Sequence, residues 1–429
     1  MAKLIYPIRP TEHALDLDSP LLSVNPGYAT WPSQNLEIAR RSNSKRSGYV
    51  EHRNIGAGIN VNDIAYFQKS DGVTSTLYLV AANLIKEESS GTWSYKTQKY
   101  SAGAITGIAS AVVTGDASVD WTTGTAPLPA AGDYFIMDAD LTAASEPDVH
   151  WHEIASVDLD TQITLVDNYS GATSSGDYTI RQVYTVPSNE RMHWAVVHDN
   201  FYFTNGNIDV QVYTGTGNAT TLDATNASKA RYLIEYADRL IQADVYSGAT
   251  RKPHTVEYSK SGDPSDWTAA GSGSFDLEDT EGYINGVGKV GANLVIFKTD
   301  SFAIAHRTVV STAPIAPRIR RPGIGCSAPY GVIQAGSTCA WIGYEDFYMM
   351  NGDQAKPIGK SIRSKFFDLV NPTELKRVTG YYNSIKNQLR WFATDDSGNR
   401  RCFVYNWKNE EWMHFMYHHS MSCGGKGEA

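Results

Sequence analysis

Only four cysteines occur in the 429 residues, and no apolar run approaches the ~20 residues that a membrane-crossing helix needs. Cys326, Cys339, Cys402 and Cys423 stand far apart, with no Cys-x-x-Cys and no histidine at zinc-finger spacing. That excludes a disulfide scaffold and a zinc ribbon, so free thiols in a reducing compartment are expected. The opening Met1-Ala-Lys-Leu-Ile-Tyr-Pro7 has no long apolar stretch, and the expectation is a protein neither exported nor membrane-spanning by its own sequence. Charged residues are scarce at 19%, and their balance is −9. A general nucleic-acid binder needs a basic face, which this balance argues against; a lumen through which DNA merely slides gains from avoiding attraction. Gly-x-Ser-x-Gly and P-loop patterns are missing, and Gly286-Val-Gly288 does not lead into a helix, so nucleophile-elbow and phosphate-cradle chemistry are excluded.

Aromatic residues, by contrast, are plentiful: 25 Tyr and 10 Trp suit many short strands and large contact surfaces, with much of that area expected between subunits. Short aromatic strands running into polar turns recur at Phe201-Tyr-Phe-Thr-Asn-Gly206, Ala243-Asp-Val-Tyr-Ser-Gly248, Ile296-Phe-Lys-Thr-Asp-Ser301, Phe347-Tyr-Met-Met-Asn-Gly352 and Phe392-Ala-Thr-Asp-Asp-Ser397. A spacing of roughly 45 to 50 residues fits a four-stranded propeller blade. One blade cannot bury its own faces, so blades close into a ring. The fold class is therefore all-β: a six-bladed β-propeller, with room for a seventh blade in the N-terminal arm or split between the ends.

The domain organisation follows from composition. Residues 1–58, with Pro7, Pro10, Pro20, Pro26 and Pro32, read as an extended arm. It carries the basic patch Arg40, Arg41, Lys45 and Arg46, which is either a partner contact or a solvated loop. Residues 59–101 make a first blade. Residues 102–183 turn to Ala, Gly, Thr, Ser and Asp and read as an inserted small β-barrel or sandwich of five strands. The remaining blades occupy 184–418, interrupted by two short helices near 360–374, and 419–429 is a tail too polar to order itself.

No constellation reads as catalytic, and no cofactor is expected. His150 and His152 with Glu153 are the tightest metal-type cluster, but a third ligand is missing and a surface strand is the preferred reading. Ser259-Lys-Ser-Gly-Asp-Pro-Ser-Asp-Trp267 is similar to the Asp-box turn of sialidase propellers, which is structural even there. Arg318, Arg320 and Arg321 read as a loop patch rather than a carboxylate grip. Asp276/Glu278, Asp279/Glu281 and Asp395/Asp396 lie in polar turns with no apolar pocket evident to raise a pKa.

Taken in order, Asp16-Leu-Asp-Ser-Pro-Leu-Leu22, Gln34-Asn-Leu-Glu-Ile38, Glu257-Tyr-Ser-Lys-Ser-Gly-Asp-Pro-Ser-Asp-Trp267, Asn293-Leu-Val-Ile-Phe-Lys-Thr-Asp-Ser-Phe302, Gly323-Ile-Gly-Cys-Ser-Ala-Pro-Tyr330 and Tyr405-Asn-Trp-Lys-Asn-Glu-Glu-Trp412 resemble segments of the β-propeller tail nozzle, or hub, proteins of short-tailed bacteriophages. The resemblance implies a virion protein, made in the host cytoplasm, that forms a homo-hexameric ring below the portal and adaptor. It implies tail fibres or spikes as further partners and double-stranded DNA passing through the lumen without sequence-specific binding. Glycine-rich loops at Thr214, Gly215, Asn218 and at Gly271, Ser272, Ser274 then become candidates for a lumen gate, against the plainer reading of exposed turns. A receptor- or glycan-binding propeller is the alternative, with Trp121, Tyr134 and Trp151 of the insert as the contact aromatics; a glycoside hydrolase is a third.

Overall fold

The computed structural model describes residues 36–39, 42–45, 61–80, 83–87, 92–124, 128–141, 146, 149–184, 190–223, 226 and 228–417. Six of its sheets have four strands each, antiparallel and in chain order. They run Val61–Gln68 to Trp93–Tyr95, His193–Val197 to Thr220–Thr221, Lys229–Glu235 to Gly273–Asp276, Ile284–Val290 to Ile315–Pro322, Ile333–Ala335 to Ala355–Pro357, and Thr379–Asn383 to Glu411–Tyr417. This is a six-bladed β-propeller with an additional seven-stranded antiparallel sheet. The described residues hold no seventh blade, because Leu36–Ala39 and Ser42–Lys45 pair only with each other. They fall into two compact units, one covering 61–231 and the other 232–417 with the 36–45 hairpin.

Within each blade the middle strands are covered on both faces, so their sequences read as continuous apolar runs rather than alternating ones. Thr338–Ile342 is buried at every position, and so is Asn293–Lys298 after its first residue. Tight hairpins join them. His198 and Asp199 both adopt positive φ (47° and 58°), the paired left-handed conformation that matches the twist of two antiparallel strands. The expected helices are one short α-helix, Arg363–Leu369, and a single 3-10 turn, Leu375–Arg377; the side chain of Asn371 caps the approach by accepting from the Thr373 amide at 3.0 Å.

Three of the tryptophans serve these cores. Trp341, Trp391 and Trp412 are fully buried, and each indole N–H reaches a backbone carbonyl: Gly325 at 3.1 Å, Gly331 at 2.8 Å and Ile358 at 2.7 Å. A buried indole without such a partner would forfeit a hydrogen bond made in water. Trp391 and Trp412 stack, with Phe347 edge-on to both. Much of the aromatic area expected between subunits is thus spent inside blades.

The insert has seven strands where five were expected. Lys99–Tyr100 is an extra edge strand, and the apolar run over 105–115 forms two strands in a hairpin, Ile105–Ala109 and Val112–Gly115. Ser110, at φ 57°, makes the turn that the apolar pattern conceals. The sheet curls until Ile105 exchanges both backbone hydrogen bonds with Gly176, just ahead of Tyr178–Arg181. That bridge joins the end strand Ile105–Ala109 to the approach of Tyr178–Arg181, the second strand from the other end, around an apolar core of Val113, Trp121, Phe135, Ile154, Ile163 and Tyr178.

Candidate functional site

Charge is not shared evenly along the chain. Residues 102–183 hold 12 of the 46 Asp and Glu but only 1 of the 37 Lys and Arg, so the remaining 36 bases and 34 acids leave the rest of the chain near neutrality, about +2. The acidity that seemed to suit a DNA-conducting wall belongs to the insert. The one base it possesses, Arg181, holds it in place.

Arg181 closes the last strand of the insert, Tyr178–Arg181, and its side chain is 8% exposed. One guanidinium nitrogen donates to both carboxylate oxygens of Glu146 (3.1 and 3.3 Å). The other donates to Asn218 Oδ1 at 2.6 Å and to the Thr97 carbonyl at 3.2 Å. Glu146 also accepts from the Tyr95 amide at 2.9 Å. Root, insert and second-blade loop are therefore joined through one planar cation, whose fork geometry suits several acceptors at once. Beside it, Asp133 accepts from the amides of Val183 and Ala130, both at 2.9 Å, while burial pushes its carboxyl up to about 6.

Several of the expected site residues lie in or near this network. Asn218, proposed for a lumen gate, is tied to Arg181, and Gly215 packs against the Lys69 side chain, which a Cβ would approach to 3.2 Å. The Thr214 hydroxyl faces the Thr216 carbonyl of its own turn. Gly271 and Ser272 lie in the matching corner of the third blade, between third and fourth strands; Ser272 Oγ donates to the Ala269 carbonyl, and Ser274 already pairs with Glu257 in the sheet. Trp121 is a core residue, 1% exposed, donating to the Tyr178 hydroxyl at 3.0 Å, which leaves no ring face for a partner. Trp151 is half-buried, donates to the Glu146 carbonyl at 2.9 Å and meets Tyr95 edge-on, so it belongs to the mount. Tyr134 is half-buried, its phenol pushed up by burial and by the Glu153 carboxylate. Arg40, Arg41 and Arg46 lie outside the described residues, as does the side chain of Lys45.

His150 and His152 approach edge-on at 4.6 Å, yet they differ: His150 is exposed and His152 buried, accepting from the Ser170 amide at 3.3 Å. Burial, with His150 nearby, holds His152 below the usual imidazole range. Glu153 points to solvent, and no group of three metal-type side chains forms among the described residues.

In the 232–417 unit, polar side chains act as corner locks. Lys298, fully buried, donates to the Leu277 carbonyl at 2.6 Å, to the Thr280 carbonyl and to the Thr280 hydroxyl at 3.0 Å. Burial pulls its ammonium below the usual lysine value. The Gly323-Ile-Gly-Cys segment runs along this corner: the Cys326 amide donates to the Lys298 carbonyl, and a Cβ on Gly325 would stand 1.6 Å from the Thr299 oxygen. Only glycine fits there. Asp266 accepts from the amides of Thr268 and Ala269, so the Asp-box-like turn is a turn lock as expected. Asp395 ties Asn399 and its own turn to Arg401 at 2.6 Å, both side chains nearly inaccessible. Asp276 takes the Thr255 hydroxyl and Asp279 pairs with Arg320. Arg318, Arg320 and Arg321 sit on a strand, Ile315–Pro322, rather than on a loop.

The residues that sequence reasoning passed over are Arg181, Glu146, Lys298 and Arg401. Arg181 alone had a visible signal, as a solitary base in a segment of carboxylates.

No known family model matches the chain, and no curated protein does. Among solved structures it is similar to AztD of Citrobacter koseri at 12% identity, with 73% of this chain and 80% of that one covered and a TM-score of 0.27. The apo form of the same protein gives 10% identity over 74% and 96% of the two chains, also at 0.27. The dihydro-heme d1 dehydrogenase NirN is similar at 10% identity over 73% of each chain, with a TM-score of 0.28.

Proposed function

We propose that the protein is a structural ring subunit, the nozzle or hub of a short-tailed phage tail. In this reading the propeller supplies a rigid wall around the DNA path and the insert supplies an outward contact to fibres, spikes or neighbouring subunits. The observation that carries it is where the family-like segments fall. Asn293–Phe302, Glu257–Trp267 and Gly323–Tyr330 form the joints of blades, and their polar side chains are consumed in holding corners. A chain whose buried polar groups brace its frame suits load-bearing assembly. The insert's attachment through Arg181 supports the same view, since a contact module on a wall transmits force only when firmly mounted. The glycan-binding alternative loses Trp121, which is core, and the hydrolase alternative is weakened because Asp276, Asp279 and Asp395 are already engaged by Thr255, Arg320 and Arg401.

The test is the mass of the native assembly by light scattering, with negative-stain imaging of the same fraction, alone and with the portal–adaptor complex. A closed ring with an open lumen near the ~20 Å of duplex DNA supports the reading. A chain that remains monomeric and fails to bind portal–adaptor overturns it.

A further inference from the structure

We infer that the outer strand of the fourth blade, Ile315–Pro322, is the docking surface for the insert of a second copy of this chain; the inference rests on the ring reading above. Three arginines fall within its eight residues, and Arg318 and Arg321 are exposed, while Arg320 is already paired with Asp279. The strand is the edge of its sheet. Pro317 and Pro322 remove amide donors from that edge, which discourages the addition of a further strand, so a partner must be read through side chains.

The complementary surface is the tip of the insert hairpin His152–Leu159/Gln162–Leu165, where Asp158, Leu159 and Asp160 are all exposed, Leu159 at 58%. Ser156 Oγ (2.7 Å) and Thr164 Oγ1 (2.6 Å) hold Asp158 in position. Two exposed carboxylates at a hairpin tip match the exposed guanidinium groups of this strand, and Arg–carboxylate pairs supply orientation as well as attraction. With 12 carboxylates and one enclosed arginine, residues 102–183 offer no further Lys or Arg to compete. Such a contact is head-to-tail, the kind that closes a ring.

Charge reversal on each side tests this in the full-length chain, by sedimentation velocity at low and high salt. Arg318→Glu with Arg321→Glu, and separately Asp158→Lys with Asp160→Lys, should each weaken self-association at least tenfold. An equimolar mixture of the two variants should restore it, because each then finds its complement. Circular dichroism matching the parent excludes misfolding as the cause. If the parent assembles and both variants assemble equally well, the inference falls and the ring reading stands. If the parent forms only open, salt-sensitive oligomers that both variants lose, the contact stands and the closed ring falls. A parent monomeric under every condition removes both.

Discussion

His414 should make the sixth blade acid-labile at a pH where carboxylates are still ionised. The imidazole is 1% exposed, stacked on Phe403 with centroids 4.9 Å apart, and its Nε2 lies 3.4 Å from Arg401 Nη1. A guanidinium has donors only, so Nε2 must accept and the ring must be neutral. Burial first, then the positive charge of Arg401, push His414 down to about 3; Asp395 pulls the other way and Lys365 adds a smaller push downward. The unfolded chain, with an ordinary imidazole near 6.5, takes up a proton that the folded blade refuses. Stability from this group is therefore complete above pH 6.5 and falls by about 1.4 kcal/mol per unit as the pH drops toward 3. Between pH 6.5 and 4.5 the loss is about 2 to 3 kcal/mol, or roughly a 30- to 100-fold rise in the population of the open blade. Asp395 does not contribute in that window. Burial raises its carboxyl, but Asn399 and Arg401 outweigh that and hold it below the usual value, so its share is lost only at lower pH. Asp63 and Asp133, raised to about 6 by burial, act with the opposite sign, gaining stability as they protonate; both belong to the 61–231 unit, so a local readout is required. Hydrogen-exchange protection of peptides from 400 to 417, corrected for intrinsic rates, supplies it. His414→Gln keeps an acceptor for Arg401 but cannot titrate, and its protection should stay level where the parent's declines. Equal declines in both proteins would refute the reasoning.

Arg181→Met should loosen the insert's mount by about 2 to 3 kcal/mol, at or just below the low end for breaking a buried pair because Glu146 is 22% exposed. Exchange at the Tyr95 amide should accelerate while Ile163 in the insert core does not, and adding Glu146→Gln should recover part of the loss; no acceleration at Tyr95 refutes the clamp. Lys298→Met leaves two buried carbonyls without their donor and should lower stability by about 2 to 4 kcal/mol, read as a shift of the urea midpoint at unchanged slope. Trp194 Nε1 donates to Asp63 at 2.8 Å, so its fluorescence should titrate with a midpoint near pH 6, and Asp63→Asn should abolish that titration.

What was readable in the sequence was whatever repeats. Aromatic strands followed by polar turns recur because every blade must solve the same packing problem, and so the propeller emerged from spacing alone. The carboxylate-rich stretch was equally plain as an insert, because composition changes where a separate core begins. Single events were hidden. Ser110 breaks one apolar run into two strands through a backbone angle that leaves no mark on hydropathy. Lys298 looks like any surface lysine until its three acceptors, contributed by residues 277 and 280, fold around it. Trp121 looks like a contact residue because exposed and buried tryptophans are identical on the page, and only Tyr178, 57 positions away, reveals which it is. The same reasoning locates the remaining functional information. Groups consumed in internal bonds brace the frame, whereas Leu159, Asp160, Arg318 and Arg321 face solvent, as does Asp158, which is held only within its own hairpin by Ser156 and Thr164. Surface chemistry unrelated to holding the fold is where an assembling protein must carry its instructions, and in this chain the net negative charge falls in one module.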